Sequence, residues 1–323
     1  MHRSFRLPLV RSLGAGLVCA ALLGGSVSAQ PALVTIRVAS TPDDQITPVL
    51  YAQRTGRFRQ AGLDVQIEKQ SGGAAVAAGV AGGSYDIGKS SVIAIFSAHE
   101  RGIPFTFVAP AGISEAKSPY GYLIVAKDSP IRTGRDLNGK TLAVAALSSV
   151  DQICIQSWMD QHGGDSKTVK IIELPQSEDG AALTEHRIDA ALTVHPQVDA
   201  ALATGNVRVL AEAYAAIGPR YFVSAWFAMS DWASKHAEAV ETFGRVVRET
   251  AAYTNAHHAE TAPLLAEISG IQLPVVQAMT RGTAGTSLEP ALFQPTIEAA
   301  AKYGVLKRAF PAREVIFSAN AAR

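Results

Sequence analysis

Residues 34–68 read Val34-Thr-Ile-Arg-Val-Ala-Ser40-Thr-Pro-Asp-Asp-Gln-Ile46-Thr-Pro-Val-Leu-Tyr-Ala-Gln-Arg-Thr-Gly56-Arg-Phe-Arg-Gln-Ala-Gly-Leu-Asp-Val65-Gln-Ile-Glu68. The apolar run Val34–Ala39 predicts a buried strand. Ser40–Ile46 is polar and holds a proline, so it is a loop. Thr47 is placed as the N-cap of a helix, Pro48 suits its first turn, and Gly56 can end it in the left-handed conformation. Val65 and Ile67 then alternate with Asp64, Gln66 and Glu68, which is the period of a strand.

Outward from this unit the same order recurs. Ser71-Gly72-Gly73 opens an alanine-rich helix that stops at Gly82-Gly83, Ile87 leads into Ser90-Ser91 and another helix, and Phe105–Val108 is a further strand. Beyond residue 140, Thr141–Ala145, Val169–Ile172, Ile188–Val194 and Val207–Val209 are strands. Between them lie a helix with Val150, Ile153, Cys154 and Trp158 on one face and a helix after His195-Pro196. Strand, polar loop and helix in repetition imply a parallel sheet with helices on both faces. Gly121–Lys127 and Tyr221–Met229 are strand-like, with the turn Asp136–Gly139 after the first; from Ser230 the pattern is helical. Two α/β lobes joined by two extended crossings give a hinge with a cleft between them. The expected division is residues 33–123 with 223–323 for one lobe and 124–222 for the other.

The first 29 residues read as an address. Arg3, Arg6 and Arg11 precede the apolar run Leu13–Leu23, and Val27-Ser28-Ala29 suits cleavage after Ala29. Eleven such residues span only about 16 Å, too short for a bilayer core. Gly16-Leu17-Val18 before Cys19 does not match a lipoprotein anchor, so export to the periplasm without stable membrane insertion is expected. The chain of 323 residues holds 29 basic and 28 acidic side chains; removing those three arginines leaves 26 against 28. A mildly acidic body without a basic cluster argues against nucleic acid as partner. Two cysteines, Cys19 and Cys154, exclude a disulfide framework and a multi-cysteine zinc site.

Ligand sites in such sheets lie beyond the C-terminal strand ends, where loops lead into helices. That places Asp43, Asp44 and Gln45; Ser71, Gly72 and Gly73 with Ser90 and Ser91; Ser148, Ser149 and Asp151; and His195 and Gln197 at the cleft, with Tyr221 on the return crossing. The glycines let backbone approach a ligand, and free N–H groups at a helix start favour an anion. Asp43 and Asp44 push the other way and suit an amine or another hydrogen-bond donor. Each residue also has a local reading: Ser148 or Ser149 as an N-cap, Asp43 in an Asx turn, the glycines as plain turns.

Thr47–Val65, with its aromatic-Ala helix, Gly-x-Phe and Gly-Leu-Asp-Val, resembles the opening of the solute-binding proteins of nitrate/sulfonate/taurine-type ABC importers, the group related to thiamine-pyrimidine-precursor binders. Tyr122–Ile131 followed by Asp136-Leu-Asn-Gly-Lys-Thr-Leu-Ala-Val144 is similar to the family's crossing into the second lobe, and Arg187–Ala191 and Lys235–Val240 also fit. The likeness spans about residues 33 to 310. It implies a type II periplasmic-binding-protein fold, two α/β lobes on a two-strand hinge, with a small solute captured between them. It implies delivery to a membrane permease with its ATPase, by a chain expected to be a monomer. Many relatives carry Glu-Pro-Phe where this chain has His195-Pro196-Gln197, and His195 can donate to a carboxylate or sulfonate, above all when protonated.

Two other classes stand beside this one. Some proteins of the fold are catalysts acting on pyrimidine or menaquinone precursors or on sulfinates, and a ligand sensor docking on a membrane receptor would share the binding step. For catalysis the chain offers Cys154, which shares an apolar face with Ile153 and Trp158, and the adjacent His257-His258, which point about 100° apart on a helix and do not chelate together. No Gly-x-Ser-x-Gly, phosphate loop or paired-carboxylate motif is present. No catalytic residue, metal site or cofactor is therefore expected; the solute is expected to be small and anionic or zwitterionic, sulfonate- or carboxylate-like, while Asp43, Asp44, Tyr85, Tyr120, Tyr122 and Tyr221 leave a heterocyclic or aromatic solute open.

Overall fold

A computed structural model describes residues 32–318 apart from 116 and 117. The leader assigned to residues 1–29, its cleavage site and Cys19 lie outside the described residues. Among the described residues no helix is long and apolar enough to cross a membrane.

The chain begins with strand β1 (Val34–Ser40), helices α1 (Thr47–Arg54) and α2 (Arg57–Gln60), and β2 (Leu63–Lys69). It continues through α3 (Gly73–Ala81), β3 (Ile87–Ser91), α4 (Val92–Glu100) and β4 (Phe105–Pro110). Gly56, at φ 72°, makes the sharp turn from α1 to α2 that a side chain would strain. The helix start differs from the expectation at Thr47. A single 3-10 turn over Asp44–Ile46 precedes α1, and Asp43 rather than Thr47 is its cap, accepting from the Gln45 N–H.

A short strand β5 (Gly112–Glu115) leads across to β6 (Gly121–Ala126), β7 (Thr141–Val144), α5 (Val150–Gln161), β8 (Lys170–Glu173), α6 (Asp179–Thr184), β9 (Ala190–Val194), α7 (Gln197–Ala203) and β10 (Val207–Ala211). The return passes through β11 (Arg220–Phe222) into β12 (Ser224–Met229). The rest is helical, α8 (Ser230–Lys235), α9 (Ala237–Ala256), α10 (His258–Ser269), α11 (Leu273–Ala278) and α12 (Gln294–Lys302), with a two-residue strand β13 (Thr283–Ala284) after α11.

The strands form two five-stranded sheets, β2-β1-β3-β12-β4 and β8-β7-β9-β6-β10, and a three-stranded ribbon, β11-β5-β13. In each large sheet three strands run parallel, the fourth runs antiparallel to its neighbours, and the fifth pairs with that reversed strand. The reversed strands, β12 and β6, are the ones that arrive from the other lobe. The wholly parallel sheet read from the repeat is therefore corrected to a mixed one: a crossing strand enters its sheet from the opposite end. The single return strand Tyr221–Met229 is likewise two, because the chain leaves the ribbon at Phe222 and joins the first sheet at Ser224.

Strand alternation sorts the cores. Trp226 and Ala228 of β12 pack with Val49, Phe58 and Phe243 on one face of the first sheet, while Ala225 and Phe227 join Phe96, Phe107 and Phe293 on the other. In the second sheet Ile124, Ala143 and Ala191 face Ala182, Leu183 and Val198 of α6 and α7, and Leu123, Leu142 and Leu192 face Ile153, Cys154 and Trp158 of α5. Helices thus cover both faces of each sheet, and every strand-to-helix loop of the parallel strands is left at one end.

Candidate functional site

Those loops enclose two adjoining cavities, of about 870 Å³ and about 500 Å³, that share Thr41, Asp43, Gln45, Tyr120 and Asp151 as a waist. Thr41, Asp43 and Gln45 come from the loop after β1, Tyr120 from the crossing, and Asp151 from the first turn of α5, so both lobes meet here.

At the waist lies a buried cation. The Lys89 ammonium of β3 donates to both carboxylate oxygens of Asp43 at 2.5 and 2.6 Å and to Gln45 Oε1 at 3.3 Å. Asp43 also accepts from the Thr41 hydroxyl at 2.6 Å and from the Gln45 N–H at 3.0 Å. The Gln45 amide takes the Ser224 hydroxyl on its oxygen and donates to the Tyr120 hydroxyl. Burial, followed by the charges of Asp43 and Asp151, pushes the Tyr120 hydroxyl well above its ordinary range. Opposite it, Asp151 accepts from the Tyr214 hydroxyl at 2.6 Å, and burial raises its carboxyl to about 6 although that hydrogen bond pulls it down.

The larger cavity lies over the starts of α3, α4 and α5. Gly73, Ser90, Ser91, Ser148 and Ser149 line it, as expected from the loops. The Ser90 hydroxyl is buried, has no hydrogen-bond partner among the described residues, and lies 2.5 Å from where a β-carbon on Gly73 would stand. Gly73 is thus glycine for a steric reason: its bare Cα keeps the first N–H groups of α3 and the Ser90 hydroxyl together. Ser149 caps α5 by accepting from the Gln152 N–H at 3.3 Å, so its local reading holds too. Ser148 sits at φ 53°, a strained conformation for a non-glycine residue at the cavity wall.

The smaller cavity is lined by the polar side chains of Ser71, Gln176, His195 and Gln197 and by the apolar ones of Leu265, Ile271 and Met279. His195 Nδ1 is 2.7 Å from Asp199 Oδ2, and its Nε2 is buried without a partner among the described residues. A carboxylate only accepts, so Nδ1 carries the hydrogen. Asp44 also borders this cavity, but its carboxylate is committed to structure: it accepts from Arg281 Nη2 at 2.5 Å, Arg281 Nε at 2.8 Å and the Gly282 N–H at 2.7 Å.

Two expected residues are placed elsewhere. Gly72 lines neither cavity; its backbone is extended at φ −171°, which any residue adopts, and no atom stands where its β-carbon would be. Tyr221 is fully buried in the core, its hydroxyl donating to Tyr214 O at 2.9 Å and lying 3.4 Å from Cys154 Sγ. Pairing of β11 with β5 turns that ring inward against α5. Burial raises the Cys154 thiol, which keeps it an unreactive thiol of the core. His257 bonds Tyr253 O through Nδ1 at 2.7 Å, and among the described residues no group of three potential ligands is arranged for a metal. Lys89 and Arg281 escaped the reading of the sequence. The one signal for Lys89 was a single charge in the otherwise uncharged five-residue strand Ile87-Gly-Lys-Ser-Ser91; once that strand is buried, the lysine demands an acid as partner.

The family model "NMT1/THI5 like" matches residues 43–261. The putative aliphatic sulfonates-binding protein of Escherichia coli strain K12 is 26% identical over 208 residues, which cover 64% of this chain; the match spans 63% of that protein's length. The crystal structure of the periplasmic aliphatic sulphonate binding protein SsuA from Escherichia coli superposes with a TM-score of 0.71 at 21% identity, covering 88% of this chain and 92% of that one. The alkanesulfonate-binding protein SsuA from Xanthomonas axonopodis pv. citri, bound to MOPS, gives 0.69 at 16% identity over 89% and 99% of the two chains. These likenesses establish the periplasmic-binding-protein fold.

Proposed function

The chain belongs to the NMT1/THI5-like family, and we propose that it is the solute-binding component of an ABC importer, exported to the periplasm, that captures a small organic anion between its lobes and presents it to a permease. The observation that carries the anion is the buried Ser90 hydroxyl, unpartnered among the described residues, beside the α3 start that Gly73 keeps open. A sulfonate or carboxylate oxygen there meets backbone N–H groups, a hydroxyl and the favourable end of a helix. The same cavity carries Lys89, Arg101 and Lys307.

The mechanism follows from the hinge. In the open form the solute meets the first lobe at α3 and Ser90; rotation about the β5–β11 pair brings Asp151 and the α5 start across it. Only contacts that differ between open and closed forms drive closure, and a difference of about 5.5 kcal/mol turns a 1:99 population into 99:1. We take residues 33–123 with 223–323 and residues 124–222 as the two moving bodies.

The test is a thermal-shift screen of the purified protein over alkyl sulfonates, nitrate, aromatic acids and pyrimidines. A solute at 100 times its Kd stabilises the folded form by about 2.7 kcal/mol, and Ser90→Ala should diminish the shift. Binding of neutral pyrimidines alone, or no shift with any anion, refutes the reading.

A further inference from the structure

The two cavities differ in character. The larger one has lysines and an arginine on its walls. Among the described residues lining the smaller one there is neither lysine nor arginine, but there are three carboxylates, Asp43, Asp44 and Asp151. Two of these are already neutralised, Asp43 by Lys89 at 2.5 Å and Asp44 by Arg281 at 2.5 Å. Among the described residues Asp151 has no such cation. Its side-chain hydrogen bond is to the neutral Tyr214 hydroxyl, and it stands where the two cavities join. Leu265 and Ile271, from the C-terminal helical region, line the same smaller cavity.

We propose that Asp151 selects the part of the solute beyond the anionic head: an amine, protonated and carrying an apolar group that rests on Leu265 and Ile271. This rests on the reading that the head lies at Ser90 and Gly73. A partly buried carboxylate without a cationic partner attracts an ammonium more strongly than an exposed one does, because little water screens it. An all-carbon solute of the same length would instead bury that charge beside methylene groups.

The experiment is calorimetry at pH 7.5 with two solutes of matched shape, N-cyclohexyl-3-aminopropanesulfonate and 4-cyclohexylbutane-1-sulfonate. The unmodified protein should bind the amine at least about tenfold more tightly, a difference of about 1.4 kcal/mol. Asp151→Asn keeps an acceptor for Tyr214 and should erase that preference, weakening the amine and tightening the all-carbon sulfonate until the two affinities agree within about threefold. Asp151→Glu, which restores the charge, should recover part of it. Equal affinities in the unmodified protein, or a preference that survives Asp151→Asn, overturn the role of Asp151 and leave the anion site standing. Failure of both sulfonates to bind folded protein overturns both readings.

Discussion

Asp43→Ala offers the most direct measure of how the waist is held. The Lys89 side chain is 2% exposed and its partner Asp43 43% exposed, with contacts at 2.5 and 2.6 Å. Removing the carboxylate leaves a buried ammonium with Gln45 Oε1 at 3.3 Å as its remaining acceptor. Breaking a buried pair from one side costs about 3–5 kcal/mol. Water reaches the vacated Asp43 side, so the lower figure, about 3 kcal/mol, applies to the stranded charge. Loss of the cap on the Gln45 N–H adds about 1 kcal/mol. Chemical denaturation at neutral pH should therefore show Asp43→Ala less stable by about 4 kcal/mol. The double variant Asp43→Ala/Lys89→Met should regain the first part and not the second, ending about 1 kcal/mol below the parent. A double variant as unstable as the single one would show that the buried charge is not what the carboxylate serves.

Asp151 gives a second test, of opposite sign. Burial raises its carboxyl from 3.8 to about 6, so ionisation opposes folding: the protonated form's stability is fully present below about pH 3.8 and lost as pH rises through 6. Asp151→Asn should thus be more stable than the parent by up to about 3 kcal/mol at pH 7.5 and equal to it near pH 3.5, with denaturation midpoints as the readout. The groups around Asp151 are Tyr214, Tyr120, Asp43, Cys154 and Asp179, so the parent–variant difference, rather than either curve alone, isolates it. The amine preference should fade as pH drops through 6 in the same calorimetric assay. Gly73→Val puts a β-carbon 2.5 Å from the Ser90 hydroxyl and should weaken anion binding at least tenfold while the melting temperature moves by only a few degrees. Gly121→Ala meets β9 backbone instead, Thr193 O at 2.5 Å and Val194 Cα at 2.8 Å, and should cost about 1–3 kcal/mol in denaturation because no flexible side chain can yield.

Much of the architecture was legible because it rests on local signals. Alternation at Val65 and Ile67, the stops at Gly56 and Gly82, and the polar loops after each strand all act over a few residues. The antiparallel fourth strands were not legible, since Gly121–Ala126 and Ser224–Met229 look like any apolar strand and only their arrival from the far lobe reverses them. The site divides the same way. Loop position brought Asp43, Gln45, Ser90, Asp151 and His195 to one cleft, since strand ends in such sheets share one side. Lys89 and Arg281 were missed because their meaning lies in partners, Asp43 and Asp44, that are 46 and 237 positions away. Tyr221 was misplaced for the converse reason: an aromatic on a crossing strand faces cleft or core according to the register of β11 on β5, and the sequence does not encode that register locally.

The crossing is a ribbon of three strands, with β13 laid along β5 on the side away from β11. Two separate tethers would let the lobes splay apart or slide. Ladder hydrogen bonds fix the spacing of neighbouring strands near 4.8 Å, so this strap resists stretching and shear and yields most readily to twist. Since β13 follows α10, α11 and the turn between them, which carry Leu265 and Ile271 to the smaller cavity, that apolar wall is anchored to the axle itself. In the proposed closure it holds its distance from the pivot while the second lobe swings, a stationary jaw against which a tail of fixed length can be gauged.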